Sequence, residues 1–269
     1  MKLARLADKI LVIARRDLLT EMRYRAGFWS HIIATLAEIA GFYFLARAIG
    51  PGYRPDGVSY FPFLLVGTSL YGFLLMGTNA FLDSVREAQW SGTMEVLMTT
   101  STPGPVIVLL TAISAYGGRI FDLLLYLGLG FLLFRISLEH LNFAAALVVF
   151  MLSLLLAVGF GIGAAALQVA TQKGSGLLWL FGSVVWLMSG TMFPVSVLPG
   201  WVQRISWLIP LTYSVEGLRA ALLRGASLAD LSKLVAILAV YAVILLPASL
   251  YLLSATLRHV RLRGTLSFY

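Results

Sequence analysis

Of 269 residues, 59% are apolar and only 12% charged, with 20 Lys or Arg against 12 Asp or Glu and no cysteine. Soluble domains carry about 25% charged residues, so this balance, with a mean hydropathy of +0.90, excludes an ordinary soluble domain and predicts a membrane protein. The lack of cysteine excludes disulfides and thiolate chemistry, and the net charge of +8, gathered beside apolar runs at the two ends, suits anionic lipid headgroups rather than nucleic acid.

The first segment, MKLARLADKILVIARRDLLTEMRYR, opens with positive charge but has no uninterrupted apolar core or small-residue cleavage site, so it does not read as a secretory signal. Leu3, Leu6, Ile10, Leu11, Ala14, Leu18 and Met22 recur at helical spacing, with Lys9, Arg15, Arg16 and Arg23 largely on other faces. That pattern predicts an amphipathic helix over 1–27, lying in the inner headgroup layer.

A membrane span needs about 20 mostly apolar residues. Six blocks qualify, at roughly 28–49, 59–81, 105–134, 142–168, 176–195 and 231–257. The seven Lys or Arg of residues 1–27 and the tail arginines Arg258, Arg261 and Arg263 assign both ends to the cytoplasm, which agrees with an even number of crossings. The predicted organisation is therefore an all-α integral membrane protein: an interfacial helix over 1–27, a six-span domain over 28–257 and a cytoplasmic basic tail over 258–269. In the third block Gly117-Gly118 predicts a kink or a tilt. Gly159 and Gly163 in the fourth have the spacing that lets two helix backbones approach.

Three ionisable residues fall inside predicted spans: Glu38 in the first, Arg119 and Asp122 in the third. Left unpaired, each costs about 2.5 to 3.5 kcal/mol at a helix centre, so each should face protein or water and find a partner. Arg119 and Asp122, three apart on one helix face, are suited to pair with each other; a role toward a substrate or a proton is the alternative.

Two polar or broken stretches interrupt the apolar pattern. In REAQWSGTMEVLMTTSTP, residues 86–103, Ser91-Gly92-Thr93 breaks the preceding element, Thr93 is a good N-cap and Glu95 lies in the first turn, where the helix dipole favours an anion. Trp90, Met94, Leu97 and Met98 share one face, so the segment predicts a short cytoplasmic helix with an apolar docking stripe. In FPVSVLPGWVQRISWLIPLTYSVEGLRAALLRG, residues 193–225, Pro194, Pro199, Gly200 and Pro210 forbid one continuous helix, while Trp201, Trp207 and Tyr213 suit the headgroup level. Two short helices half-sunk in the outer leaflet reconcile these features.

No phosphate loop, H-E-x-x-H or nucleophile elbow occurs, and His31, His140 and His259 are scattered, so neither nucleotide hydrolysis nor a clustered metal site is expected in this chain.

The two interrupting stretches carry a resemblance. REAQWSGTMEVLMTTSTP resembles the R-E-x-G-T-x-E-x-L-x-x-T-P-type segment that follows the second span in permease subunits of ABC-2 type exporters, although Ala88-Gln89-Trp90-Ser91 lengthens its usual gap. FPVSVLPGW with IPLTY and EGLR resembles that family's F-P, L-P-x-W, P-L-x-Y and E-x-L-R segment before the last span. The resemblance implies one half of a dimeric exporter in a prokaryotic plasma membrane, with an identical or homologous second permease copy and two copies of a separate ABC ATPase subunit that binds the ATP and Mg. It implies a coupling helix at about 86–103, contacting the ATPase through Arg86, Glu87, Gly92, Thr93, Glu95 and Leu97. Outer re-entrant helices at about 196–225 would close the exit, with Pro194, Pro199, Trp201, Pro210 and Tyr213 at the gate. The cargo expected is a hydrophobic small molecule, a lipid or a lipid-linked glycan. An ion-coupled secondary transporter using Glu38, Arg119 and Asp122 is the competing class, and a non-transporting membrane scaffold is a third.

Overall fold

The computed structural model describes residues 25–90, 104–134, 141–171 and 175–263. The described chain is helical: α1 (Arg25–Ile49), α2 (Tyr60–Trp90), α3 (Gly104–Leu133), α4 (Phe143–Thr171), α5 (Ser175–Met188), α6 (Gly200–Ser206), α7 (Pro210–Leu223) and α8 (Ser232–Arg263), with single 3-10 turns at Pro55–Gly57 and Val195–Val197. The expected amphipathic helix over 1–27 lies outside the described residues except for its last three, which open α1.

Among the described residues, four helical segments are long and apolar enough to cross a membrane: Trp29–Ile49, Tyr60–Glu87, Phe143–Ala170 and Ser232–His259. The α3 helix is 30 residues long but carries Arg119 and Asp122; it runs without interruption through Gly117-Gly118. The α5 helix, with 14 residues, extends only about 21 Å at 1.5 Å per residue, less than the roughly 30 Å of a bilayer core. It ends early because Gly190 takes a left-handed φ of 77° two residues past its last turn and Pro194 follows, so the apolar run to 195 leaves the helix.

The order of packing follows from where the small residues stand. Helix α2 is the centre of the bundle, with 61% of its spanning window buried against 11% for α1 and 17% for α8. At Gly77 an added Cβ would fall within the ring of Tyr116 on α3, so these two helices approach as closely as they do only because position 77 has no side chain. Tyr116, 1% exposed, turns that approach into a three-helix joint: its hydroxyl lies 2.6 Å from Thr78 Oγ1 on α2 and donates to the Ala157 carbonyl on α4 at 2.9 Å. On α4, Gly159 and Gly163 face α8, where built Cβ atoms would stand 3.1 Å from Leu245 Cγ and 3.9 Å from Ser249 Cβ. The four-residue spacing thus does what its pattern implies, letting two long helices pack backbone to backbone in a setting where dispersion, not water exclusion, drives association.

Several buried or half-buried hydroxyls in the long helices are satisfied within their own helix. Thr68 donates to the Leu64 carbonyl at 2.8 Å, Thr78 to Leu74 at 2.9 Å and Ser153 to Val149 at 2.7 Å, so these polar residues sit in an apolar interior without an orphaned donor. The prediction concerns Gly77: Gly77→Leu forces apart a packed joint and is expected to cost about 1–3 kcal/mol. In detergent-solubilised protein its thermal midpoint should fall well below that of Gly117→Leu, where nothing lies within 4 Å of the added Cβ. Equal midpoints would contradict the packing.

Candidate functional site

Residues from the two interrupting stretches lie at opposite ends of α2. At its last turns Arg86 Nη1 stands 3.4 Å from Asp83 Oδ1, three residues back on the same helix, and Trp90 is 69% exposed. Helix α2 continues nine residues beyond the predicted end of its apolar block, so Arg86 and Glu87 belong to a long rod of 31 residues and not to a separate element. Gly92, Thr93, Glu95 and Leu97 lie outside the described residues.

At the other end, α6 and α7 form the two short helices expected from the proline pattern. Pro194 precedes the 3-10 turn, Pro199 precedes α6, and Pro210 opens α7 at a position where its missing N–H costs nothing. The hairpin is tied together by side chains reaching carbonyls. Thr212 donates to Ser206 O at 2.7 Å, Tyr213 to Trp207 O at 2.8 Å, and Tyr241 of α8 to Leu208 O at 3.1 Å. Gln203 reaches back to the Ser196 and Leu198 carbonyls at 3.1 and 2.7 Å, holding α6 against the 3-10 turn. Trp201, Val197 and Leu208 remain largely exposed, leaving an apolar crown on the hairpin.

Beneath that crown lies a residue that the sequence reasoning passed over. Arg219 of α7 is only 4% exposed. Its Nε donates to the Phe63 carbonyl at 3.0 Å, Nη1 to Gly190 O at 2.7 Å and Nη2 to Thr191 O at 2.6 Å, while the guanidinium carbon lies 3.4 Å from the centre of the Phe63 ring. Three elements therefore meet on one side chain: the first turn of α2, the left-handed bend that ends α5, and α7. Gly67 provides the space, since a Cβ there would collide with the guanidinium and the Thr191 carbonyl. The Gly190 and Thr191 carbonyls belong to the bend just beyond the C-terminus of α5, where the helix dipole favours a cation. A signal was present in the sequence: Thr212, Val215 and Arg219 stand at i, i+3 and i+7, which puts a charge on the buried stripe of α7. The nearby Glu216 pairs instead with Arg224.

The ionisable residues that fall within the predicted spans form a seam between α1 and α3. Arg119 Nη1 lies 3.1 Å from Asp122 Oδ2, the i, i+3 pairing expected, and Asp122 Oδ1 lies 3.2 Å from His31 Nε2 of α1. Two turns along α1 from His31, Glu38 accepts from the Tyr126 hydroxyl of α3 at 3.4 Å, and that hydroxyl is also 3.3 Å from Thr68 Oγ1 of α2. The seam does not extend to α4 or α8 among the described residues.

On another side of α2, an apolar cleft of about 600 Å³ opens among α2, α4, α5, α8 and the link between α6 and α7. Leu75, Leu156, Phe160, Leu167 and Val185 line it, with Tyr71, Thr78 and Asn79 as its polar points, and the Tyr71 hydroxyl bridges to the Gly182 carbonyl of α5 at 3.1 Å. Its volume and lining fall in the range of small-molecule sites. Among the described residues no group of His, Asp and Glu is arranged to hold a metal.

The described residues thus combine four helical segments long and apolar enough to cross a membrane, an apolar cleft and a proline-broken hairpin before the last long helix, the framework of a multi-pass membrane protein. The sequence profile of the ABC-2 type transporter family matches residues 8–223, and the chain belongs to that family. Its members are the membrane-spanning permease components of ABC transporters, which generally work with an ABC ATPase subunit. Among curated proteins, none matches the chain.

The Arg219 clamp carries a prediction of its own. Replacing Arg219 with Met leaves the Gly190 and Thr191 carbonyls short of a donor, and each buried unsatisfied group costs about 1–3 kcal/mol. Amide hydrogen exchange in residues 189–199 is expected to accelerate at least tenfold in Arg219→Met and by less in Arg219→Lys, which keeps a charge but not the planar fork. Unchanged exchange in the Met variant would refute the clamp.

Proposed function

We propose that this chain is one half of an ATP-driven exporter, moving a hydrophobic small molecule, a lipid or a lipid-linked glycan across a prokaryotic plasma membrane with power from a separate ATPase. In this reading α3, together with α5 and the bent segment that follows it to residue 195, completes six crossings with the four long apolar helices, both termini face the cytoplasm, and α6 with α7 forms an outer gate that includes Pro194, Pro199, Trp201, Pro210 and Tyr213. A second permease copy, identical or homologous, completes the path.

The observation that carries the reading is the continuity of α2. One rod of 31 residues extends about 46 Å, longer than the bilayer core, so its two ends can lie in different compartments. At one end its Phe63 is gripped by Arg219 of the hairpin. At the other it leads directly into the segment 86–103, where the family resemblance puts the ATPase contact. A push on that segment moves the rod, and movement of the rod pulls on the carbonyl and ring that Arg219 holds. Work done on one side of the membrane thereby reaches the gate on the other without a chemical intermediate. The cleft beside α2 supplies an apolar surface for cargo within reach of both.

An ion-coupled transporter is less well supported. Arg119, Asp122 and His31 are engaged with one another, and the seam ends between α1 and α3, whereas ion coupling needs exchangeable groups that connect the two sides.

The natural lack of cysteine makes the test direct. Thr93→Cys in the full-length chain is expected to react with a membrane-impermeant maleimide only after the cytoplasmic side is exposed, and to cross-link to the ABC ATPase with which the chain assembles. Glu95→Ala combined with Gly92→Val is expected to lower ATP-dependent transport by the reconstituted complex at least tenfold while leaving the amount of permease in the membrane unchanged. Labelling of Thr93→Cys from outside, or full transport by the double variant, would overturn the proposal.

A further inference from the structure

The carbonyls that Arg219 holds are not the only acceptors beside it. Its side chain lines a cavity of about 190 Å³ under the hairpin, together with Asp56, Ser189, Gly190, Ser196 and Glu216. A buried water needs roughly 10–15 Å³, so the space admits several waters or a side chain that turns into it. Two sets of acceptors thus adjoin one guanidinium: the main-chain carbonyls of Phe63, Gly190 and Thr191, which it holds, and two carboxylates that share the cavity with it. The electrostatics agree. Burial pushes the Arg219 pKa below its ordinary value, while the charges of Glu216 and Asp56 push it back up and Arg224 opposes them.

The two carboxylates differ in what they move with. Glu216 stands three residues before Arg219 on α7, a spacing at which an acid and a base pair along one helix, so it stays within reach of Arg219 wherever α7 goes. Asp56 belongs to the 3-10 turn Pro55–Gly57, which leads into α2. Glu216 is engaged with Arg224, just past the end of α7, and both side chains are partly exposed. Such an exposed pair is worth little, so Glu216 changes partners at small cost. The grip on the carbonyls is different. Pulling Arg219 away from them without a replacement strands a charge at a residue that is 4% exposed. Carboxylates in a cavity that admits water offset much of that penalty, because hydrogen bonds between charged partners are the stronger kind.

We propose that Arg219 is the moving part of a two-position latch. In the first position it holds the three carbonyls while Glu216 is bound to Arg224; in the second it turns into the cavity to pair with Glu216 and Asp56, which frees α7 from α2 and from the bend after α5. As a control on the gate this rests on the permease reading; as a property of the fold it stands apart, and the experiment separates the two. Amide hydrogen exchange of residues 189–199, in the full-length protein in nanodiscs, reports the release. Rates are taken relative to those of residues 153–165 of α4, which cancels a general loss of stability. Glu216→Gln removes an acceptor of the second position and is expected to slow the exchange at least threefold, whereas Arg224→Gln frees Glu216 and is expected to speed it at least threefold. The double variant is expected to match Glu216→Gln, since Arg224 acts through Glu216, and Asp56→Asn to slow exchange by a smaller factor. A carboxylate that merely buttresses the clamp predicts the opposite sign. Faster or unchanged exchange in Glu216→Gln would overturn the proposal, as would slower or unchanged exchange in Arg224→Gln. With the ABC ATPase bound, ATP is expected to speed exchange of 189–199 in the wild-type chain and to have less than a third of that effect in Glu216→Gln. No effect of ATP on the wild type would sink the permease reading and leave the latch intact, while an equal effect on both chains would sink the latch and leave the reading.

Discussion

The grip of Arg219 on three main-chain carbonyls is the constraint around which one end of this molecule is organised. A guanidinium with so little exposure needs acceptors, and the fold supplies them by ending α5 at a left-handed glycine and by leaving Gly67 without a side chain. Its position on the ring of Phe63 adds a favourable contact that also excludes water. The charge is matched mainly by dipoles, and no carboxylate stands within ion-pair distance of it among the described residues. Such an arrangement holds three elements in one geometry and releases them together, because the fork cannot keep one carbonyl while losing the alignment of the others.

That anchor matters because of what α2 connects. The helix packs through Gly77 against Tyr116 on α3, and Tyr116 in turn reaches α4, so the middle of the rod is held in a close-packed joint. A rigid element fixed in the middle and clamped at one end transmits displacement from the other end. Peripheral α1 and α8, by contrast, keep most of their surface away from the protein interior, as expected of helices that meet lipid or another subunit. The polar seam follows the same division: on α3 Asp122 meets both Arg119 and His31 of α1, while Glu38 stands at the exposed side of α1.

Much of the helical layout was legible from hydropathy. Each of the six apolar blocks contains a helix, α1 to α5 and α8, since a long apolar run must satisfy its own backbone and a helix does so locally. Among the described residues, four of them are long and apolar enough to cross a membrane. The pairing of Arg119 with Asp122 was equally readable from a three-residue spacing. The end of α2 was not, because the polar residues Asp83 to Gln89 stop a hydropathy count without stopping a helix. The end of α5 was misjudged in the opposite direction, the apolar run continuing after Gly190 had turned the chain. Arg219 was quoted within a motif and passed over as a role, since a search for charges inside predicted spans does not reach a short helix in a predicted loop.

The sequence by itself determined the class of molecule, the all-helical character, the broken stretch before the last helix and the resemblance to ABC-2 type permeases. These properties are written in local composition and spacing, where each residue acts through its neighbours in the chain. Only the tertiary structure decided which carbonyls Arg219 would hold, which glycine would admit Tyr116, and which helices the His31–Asp122 and Glu38–Tyr126 contacts would join. Those outcomes depend on contacts between residues up to 156 positions apart, which no local pattern encodes.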